Sequence, residues 1–223
     1  STSAYAQEIT PVAASAATPI KQPWLYEGSD VPVDTTWTFA SLPNGLRYAV
    51  KKNDVPAGQV SIRVRIDAGA LHENDDEQGF AHLIEHLSFR GSTFVPDGEA
   101  KRIWQRFGVT FGSDSNAQTT PTQTVYKLDL PNVTPEKLDE SIKIISGMIR
   151  NPRISDVALN AERAIVLAEL RENSGAQMVY SDALRQHAFQ GQRLANRSTI
   201  GTPATLEAAD AARLNAFHDR WYR

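Results

Sequence analysis

Three side chains that could bind and use a metal ion lie close together in the chain: His82, Glu85 and His86. Helical residues four apart share a face, so His82 and His86 can present two imidazole nitrogens to one ion, with Glu85 beside them. A zinc ion held there would lower the pKa of a bound water, and a neighbouring carboxylate could take that water's proton. The spacing therefore indicates metal-assisted hydrolysis, with Glu85 as the general base.

Two histidines are an incomplete site, because catalytic zinc usually has three protein ligands. The chain has no cysteine, so the third donor must be His, Asp or Glu. A predicted helix near residue 165 offers Glu162 and Glu169, which are seven residues apart and therefore share one face. The apolar residues between them indicate a largely buried helix, and two buried carboxylates require a cation or a metal as partner.

Each of these residues also has an ordinary structural interpretation. A single His is usually a surface or hydrogen-bonded core residue, HxxEH also occurs by chance, and Glu162 with Arg163 could form a solvated ion pair. The context favours a metal site, because the motif follows a predicted strand and an acidic loop at 69–79. His72, His187 and His218 lack ligand spacing, and we assign them no function.

The composition limits which partners and which cellular locations the protein can have. A net charge of −3 and the absence of a Lys/Arg stripe argue against a nucleic-acid partner. There is no run of about 18 apolar residues, so we expect no membrane span. Residues 1–23 are rich in Ala, Ser, Thr and Pro and are predicted to form a disordered leader. The SAYA sequence at 3–6 is either the end of a secretory signal, which predicts a bacterial periplasmic or secreted protein, or part of a flexible tail.

The predicted elements describe an α+β fold. Alternation predicts a hairpin at 38–52, a strand at 60–66 and two strands within 110–130. Apolar residues at helical spacing predict helices at 80–89, 99–107, 134–151, 155–172, 179–189 and 206–222. Because neighbouring strands are joined by hairpins and helices follow, we expect a largely antiparallel sheet packed against helices.

Three segments resemble the pitrilysin/insulinase family of zinc peptidases, which includes the mitochondrial processing peptidases. They are GFAHLIEHLSFRGS at 79–92, GSDSNAQT at 112–119 and ERAIVLAE at 162–169. The resemblance extends over roughly residues 38–223. It implies a pitrilysin-like domain with one zinc ion.

The resemblance also assigns roles to individual residues. It implies that His82, His86 and Glu169 bind the zinc and that Glu85 is the base. It further implies that Glu162 orients the site from outside the metal's own ligands.

Two more residues match the family's substrate-binding strand. The resemblance places Asn116 and Ala117 on an edge strand along which a substrate peptide lies as an added strand.

Two features depart from the family pattern. The stretch between His86 and Glu169 is a few residues longer than expected, which we assign to a loop insertion around 118–123; this leaves Glu162 as a rival third ligand. In addition, only the metal-bearing domain is present, whereas family members pair two homologous domains. We therefore expect residues 24–223 to be the N-terminal zinc-peptidase domain of a longer enzyme. Its partner would be a homologous C-terminal domain or a second subunit.

The favoured function is that of a zinc endopeptidase domain acting on extended peptides or small unfolded proteins. One alternative is a non-catalytic interaction subunit with the same fold, although such subunits usually lose the HxxEH motif, which is complete here. Another is a zinc enzyme with a small-molecule substrate on a related fold.

Overall fold

The computed structural model describes residues 24–222, so the predicted leader at 1–23 lies outside the described residues. The strands in this part of the chain are β1 (Trp37–Ser41), β2 (Arg47–Lys51), β3 (Val60–Ile66), β4 (Ser115–Thr119) and β5 (Thr124–Leu130). The helices are α1 (Phe80–Ser88), α2 (Glu99–Arg106), α3 (Pro135–Arg150), α4 (Asp156–Glu172), α5 (Ala176–Ala188), α6 (Pro203–Glu207) and α7 (Ala211–Trp221). Within residues 24–222, no helix combines the length and the apolar character needed to cross a membrane.

The chain divides after Val55 into two compact units. In the first unit, β1 and β2 form the predicted antiparallel hairpin. Gly45 lies in its turn with φ of 90°, a left-handed conformation that glycine adopts without steric cost. The rings of Trp24 and Tyr26 each pack against Phe39, with centroids 5.0 and 5.1 Å apart, and this aromatic cluster covers part of the hairpin.

The second unit is built on a three-stranded sheet in the order β3-β5-β4, and both strand pairs are antiparallel. The central strand β5 alternates buried and half-buried residues, and its buried side chains include Tyr126, Leu128 and Leu130. Such alternation is typical of a strand with one face on a core. Antiparallel strands combined with helices confirm the predicted α+β class.

Helix α1 lies in the larger of two hydrophobic clusters. Phe80, Leu83, Ile84 and Leu87 recur at helical spacing and are each fully buried. They pack together with side chains of α4 and α7, among them Leu159, Val166, Leu214 and Phe217. Because these apolar positions fix one side of α1, the side that carries His82 and His86 is directed towards the remaining groups of the site.

The second cluster joins α2 and α3 to the sheet. Trp104 is buried at its centre, and its indole N–H donates to the hydroxyl of Ser141 over 3.2 Å. Thr134 caps α3 by accepting a hydrogen bond from the backbone N–H of Lys137.

The predicted helix at 206–222 is wrong in one respect, because this region forms two helices. α6 begins at Pro203 behind the cap residue Thr202, and it ends at Glu207. Asp210 then caps α7 by accepting from the backbone N–H of Arg213. An Asp that binds the amide three residues ahead favours a new helix start, which apolar spacing alone does not reveal.

The core assignment predicts a contrast between two truncations. Leu128 is 1% exposed, whereas Val157 is 82% exposed. We expect Leu128→Ala to lower the free energy of unfolding by about 2–5 kcal/mol, since it leaves a cavity. The control Val157→Ala should change it by no more than about 0.5 kcal/mol. Urea unfolding followed by circular dichroism measures both, and equal effects would contradict the described core.

Candidate metal centre

Helices α1 and α4 bring the donor atoms of His82, His86 and Glu169 within 4.8 Å of one another. Nε2 of His82 lies 3.7 Å from one oxygen of Glu169, and Nε2 of His86 lies 3.7 Å from the other. These distances are longer than hydrogen bonds. They are near the roughly 3.4 Å that separates two ligands of a tetrahedral zinc ion with bonds of about 2.0–2.2 Å. The three side chains therefore fit a zinc ion between them.

Helix α4 carries Glu169, and both the start of this helix and its packing in the core are well defined. Ser155 caps the helix by accepting from the backbone N–H of Ala158, and the buried Val166 anchors it in the core. Of the two carboxylates that we considered as third ligand, only that of Glu162 is buried, with 8% of the side chain exposed, whereas that of Glu169 is 37% exposed. The expectation of two buried carboxylates therefore holds for Glu162 alone.

Glu162 contacts the other side of His86. Its carboxylate lies 3.0 Å from Nδ1 of His86 and 3.4 Å from Nε of Arg90. A carboxylate at Nδ1 favours a proton there, which leaves a lone pair on Nε2, the nitrogen that faces Glu169. Nδ1 of His82 is buried and has no hydrogen-bond partner among residues 24–222. The two histidines are therefore supported unequally.

Burial and neighbouring charges move the pKa values of the two histidines in opposite directions. Burial, together with the nearby His86, lowers the pKa of His82 to about 4. Burial also disfavours the charged form of His86, but the hydrogen bond to Glu162 and the nearby carboxylates of Glu169, Glu162 and Glu85 outweigh it and raise its pKa. His82 is therefore neutral near pH 7, and a metal bound by His86 competes with a proton there.

Glu85 lies next to these donors on α1 and is buried. Burial raises the pKa of its carboxyl group, and a hydrogen bond from Thr119 opposes that increase. The hydroxyl of Thr119 donates to Oε2 of Glu85 over 2.5 Å, so the last residue of β4 holds this carboxylate in place. Thr119 ends the segment GSDSNAQT, but no local pattern in the sequence predicts its contact with Glu85.

Asn116 and Ala117 both lie on β4, which is an edge strand of the sheet. The Asn116 side chain donates to the carbonyl of Gly112 over 3.1 Å and accepts from the backbone N–H of Ala117 over 2.9 Å. Within the described part of the chain, β4 pairs with β5 alone. Peptide binding by these two residues stays a prediction.

At 118–123, where we expected a loop insertion, the chain forms the end of β4 and the turn into β5, and the insertion stays a prediction. β4 and β5 are joined by a short turn, in which the backbone N–H of Thr120 donates to the carbonyl of Gln123 over 2.8 Å. This turn packs tightly on Gly69, where an added Cβ would lie 2.0 Å from the carbonyl oxygen of Thr120.

Comparisons with known proteins identify the family of the chain. The family described as insulinase (peptidase family M16) matches residues 48–202. A probable zinc protease PqqL of Haemophilus influenzae is 32% identical over 199 residues, which cover 89% of this chain and 22% of that protein. The chloroplastic stromal processing peptidase of Pisum sativum is 29% identical over 198 residues, which cover 87% of this chain and 15% of that protein.

A solved structure shares the fold. The crystal structure of the periplasmic protease PqqL from Escherichia coli matches with a TM-score of 0.82 and 31% identity, over 86% of this chain and 21% of that one. The chain thus spans about a fifth of the length of the PqqL proteins it matches. The family match covers well over half of the chain, and the chain belongs to the insulinase family, peptidase family M16.

Proposed function

We propose that this chain is the metal-bearing part of a zinc-dependent endopeptidase that hydrolyses extended peptides or small unfolded proteins. The observation that carries the proposal is the convergence of His82, His86 and Glu169 beside the buried carboxylate of Glu85. A non-catalytic subunit would not require this combination, because a metal ligand set and an adjacent base are needed only for turnover.

Each residue has a distinct task in this proposal. His82, His86 and Glu169 would hold the zinc, which when bound supplies a water of lowered pKa and polarises the substrate carbonyl. Glu85 takes the proton of the attacking water and passes it to the leaving amine. The raised pKa of Glu85 suits both transfers, because it brings the carboxyl group closer to neutral pH.

The substrate would lie along β4 as an added strand. Main-chain hydrogen bonds to an edge strand accept many sequences, so a peptide is recognised by its extended shape. β4 runs from Ser115 to Thr119, and Thr119 contacts Glu85. A peptide paired with Asn116 and Ala117 therefore passes close to the base and the metal ligands.

We also propose that a second, homologous domain completes the enzyme. The relatives are several times longer than this chain, which supports a homologous second domain, in the same chain or a separate subunit, as the partner that covers the substrate. The similarity to the periplasmic protease PqqL supports a periplasmic location for this protein.

Metal analysis of two variants tests the ligand set. Glu169→Gln should lose zinc or bind it far more weakly, since it removes one of three ligands. Glu162→Gln should keep zinc and lose peptidase activity by roughly 10- to 100-fold, as is usual for groups that orient a ligand. Zinc content by mass spectrometry after dialysis measures both. The reverse pattern would show that Glu162 is the ligand.

A second variant separates the base from the ligands. Glu85→Gln keeps the shape of the side chain but cannot accept the proton of the water. We expect zinc content to be unchanged and peptide cleavage by the intact protein to fall by at least about 10²-fold. Cleavage at the wild-type rate would mean that another group is the base.

A third test concerns the partner domain. Residues 1–223 alone should bind zinc yet cleave peptides very slowly, because main-chain hydrogen bonds on one side contribute only about 0.5–1.5 kcal/mol each. An uncovered site also stays wet, which weakens the stabilisation of the developing oxyanion. Adding the homologous domain should restore cleavage at equal zinc loading. Full activity of the isolated chain would contradict this arrangement.

A further inference from the structure

One fully buried carboxylate has no part in the site described so far. Glu73 lies in the acidic loop before α1 and is 0% exposed. One of its carboxylate oxygens accepts from the backbone N–H of Gly79 over 3.0 Å, and the other accepts from the backbone N–H of Ala81 over 2.9 Å. Both amides belong to the start of α1, and Ala81 directly precedes His82.

The start of α1 needs this carboxylate because the helix has no cap of its own. The first N–H groups of any helix lack partners within it, and a side chain at the N-cap normally accepts from one of them. The N-cap here is Gly79, which has no side chain and has φ of 93°. A Cβ at Gly79 would lie 2.8 Å from the carbonyl oxygen of Ile200, so a capping residue cannot stand there. Glu73 performs that role from six residues upstream.

Glu73 is itself held from a distant part of the chain. Its main-chain carbonyl accepts hydrogen bonds from the guanidinium groups of Arg193 and Arg197. Arg197 is buried, and it also forms an ion pair with Asp75 in the same loop. Two arginines far along the sequence thus hold the main chain at Glu73, and the Glu73 carboxylate in turn caps the first turn of α1.

We propose that Glu73 is a positioning residue for the metal centre, which holds the first turn of α1 so that His82 stays in register with His86 and Glu169. This inference rests on the proposed zinc-binding function. His82 is the first ligand on α1, only one residue beyond the capped amide of Ala81. His86 lies a full turn further on and is secured by Glu162, whereas Nδ1 of His82 has no partner in the described part of the chain. The cap therefore compensates for the missing support of His82.

Loss of the cap should weaken zinc binding in folded molecules. Without the carboxylate, the first turn frays in part, and zinc must then order that turn as it binds. Replacing a capping side chain changes the equilibrium of a helix start roughly 2- to 30-fold. We expect the zinc dissociation constant to rise by up to that factor, because only the ordered turn presents His82 and the apparent affinity falls with the ordered fraction.

The test compares Glu73→Gln with Thr134→Ala in the intact protein. The amide of Gln fills the same space, but its NH2 group cannot accept from a backbone N–H. Thr134→Ala removes the cap of α3, which carries no ligand, and so controls for a general loss of stability. Zinc affinity is measured by competition with a chelator near pH 8, because burial raises the pKa of Glu73 to about 7 and the carboxylate is ionised there.

The outcomes separate this proposal from the one on which it rests. A roughly 2- to 30-fold weaker zinc affinity for Glu73→Gln, with wild-type affinity for Thr134→Ala, supports the positioning role. Equal affinity of wild type and Glu73→Gln overturns it, whatever the melting temperatures. If wild type itself binds no zinc, the proposed function fails instead. Should Glu73→Gln not fold, Glu73→Asp is measured in the same way, and wild-type affinity of that variant also overturns the proposal.

Discussion

The structure depends on one constraint: helix α1 must be a core element and carry the reactive side chains at the same time. Phe80, Leu83, Ile84 and Leu87 bury one face completely, and this fixes the rotation of the helix. The other face of α1, which carries His82 and His86, must then point towards α4. Burying apolar side chains of this size stabilises the fold by about 1.5–3 kcal/mol each, which is enough to hold polar groups in a poorly solvated place.

The buried polar groups of α1 therefore need hydrogen-bond partners, because burying a polar atom without a partner costs free energy. Other elements supply the partners: Glu162 from α4 for His86, Thr119 from β4 for Glu85, and Glu73 for the amides at the helix start. Nδ1 of His82 is the exception within the described residues. The site is therefore a junction of α1, α4, β4 and the acidic loop, although its motif occupies only a few residues of sequence.

The sequence predicted what depends on local periodicity. The positions of α1 and α4, the hairpin and the antiparallel strands followed from apolar spacing and turn residues. The spacing of His82 and His86 indicated a shared ion. Contacts between distant segments could not be predicted in this way, because no local pattern records them. The link from Thr119 to Glu85 and the cap from Glu73 to Ala81 became visible only in three dimensions. Periodicity also missed the break before α7, where the Asp210 cap outweighs continued apolar spacing.

We propose that His82, His86 and Glu169 share one zinc ion next to Glu85. Anomalous diffraction at the zinc absorption edge, from crystals of the intact protein grown with zinc, would locate that ion. We predict one strong peak about 2.0–2.2 Å from Nε2 of both histidines and from a carboxylate oxygen of Glu169. A peak bound by Glu162 in place of Glu169, or no peak between the two helices, would contradict it.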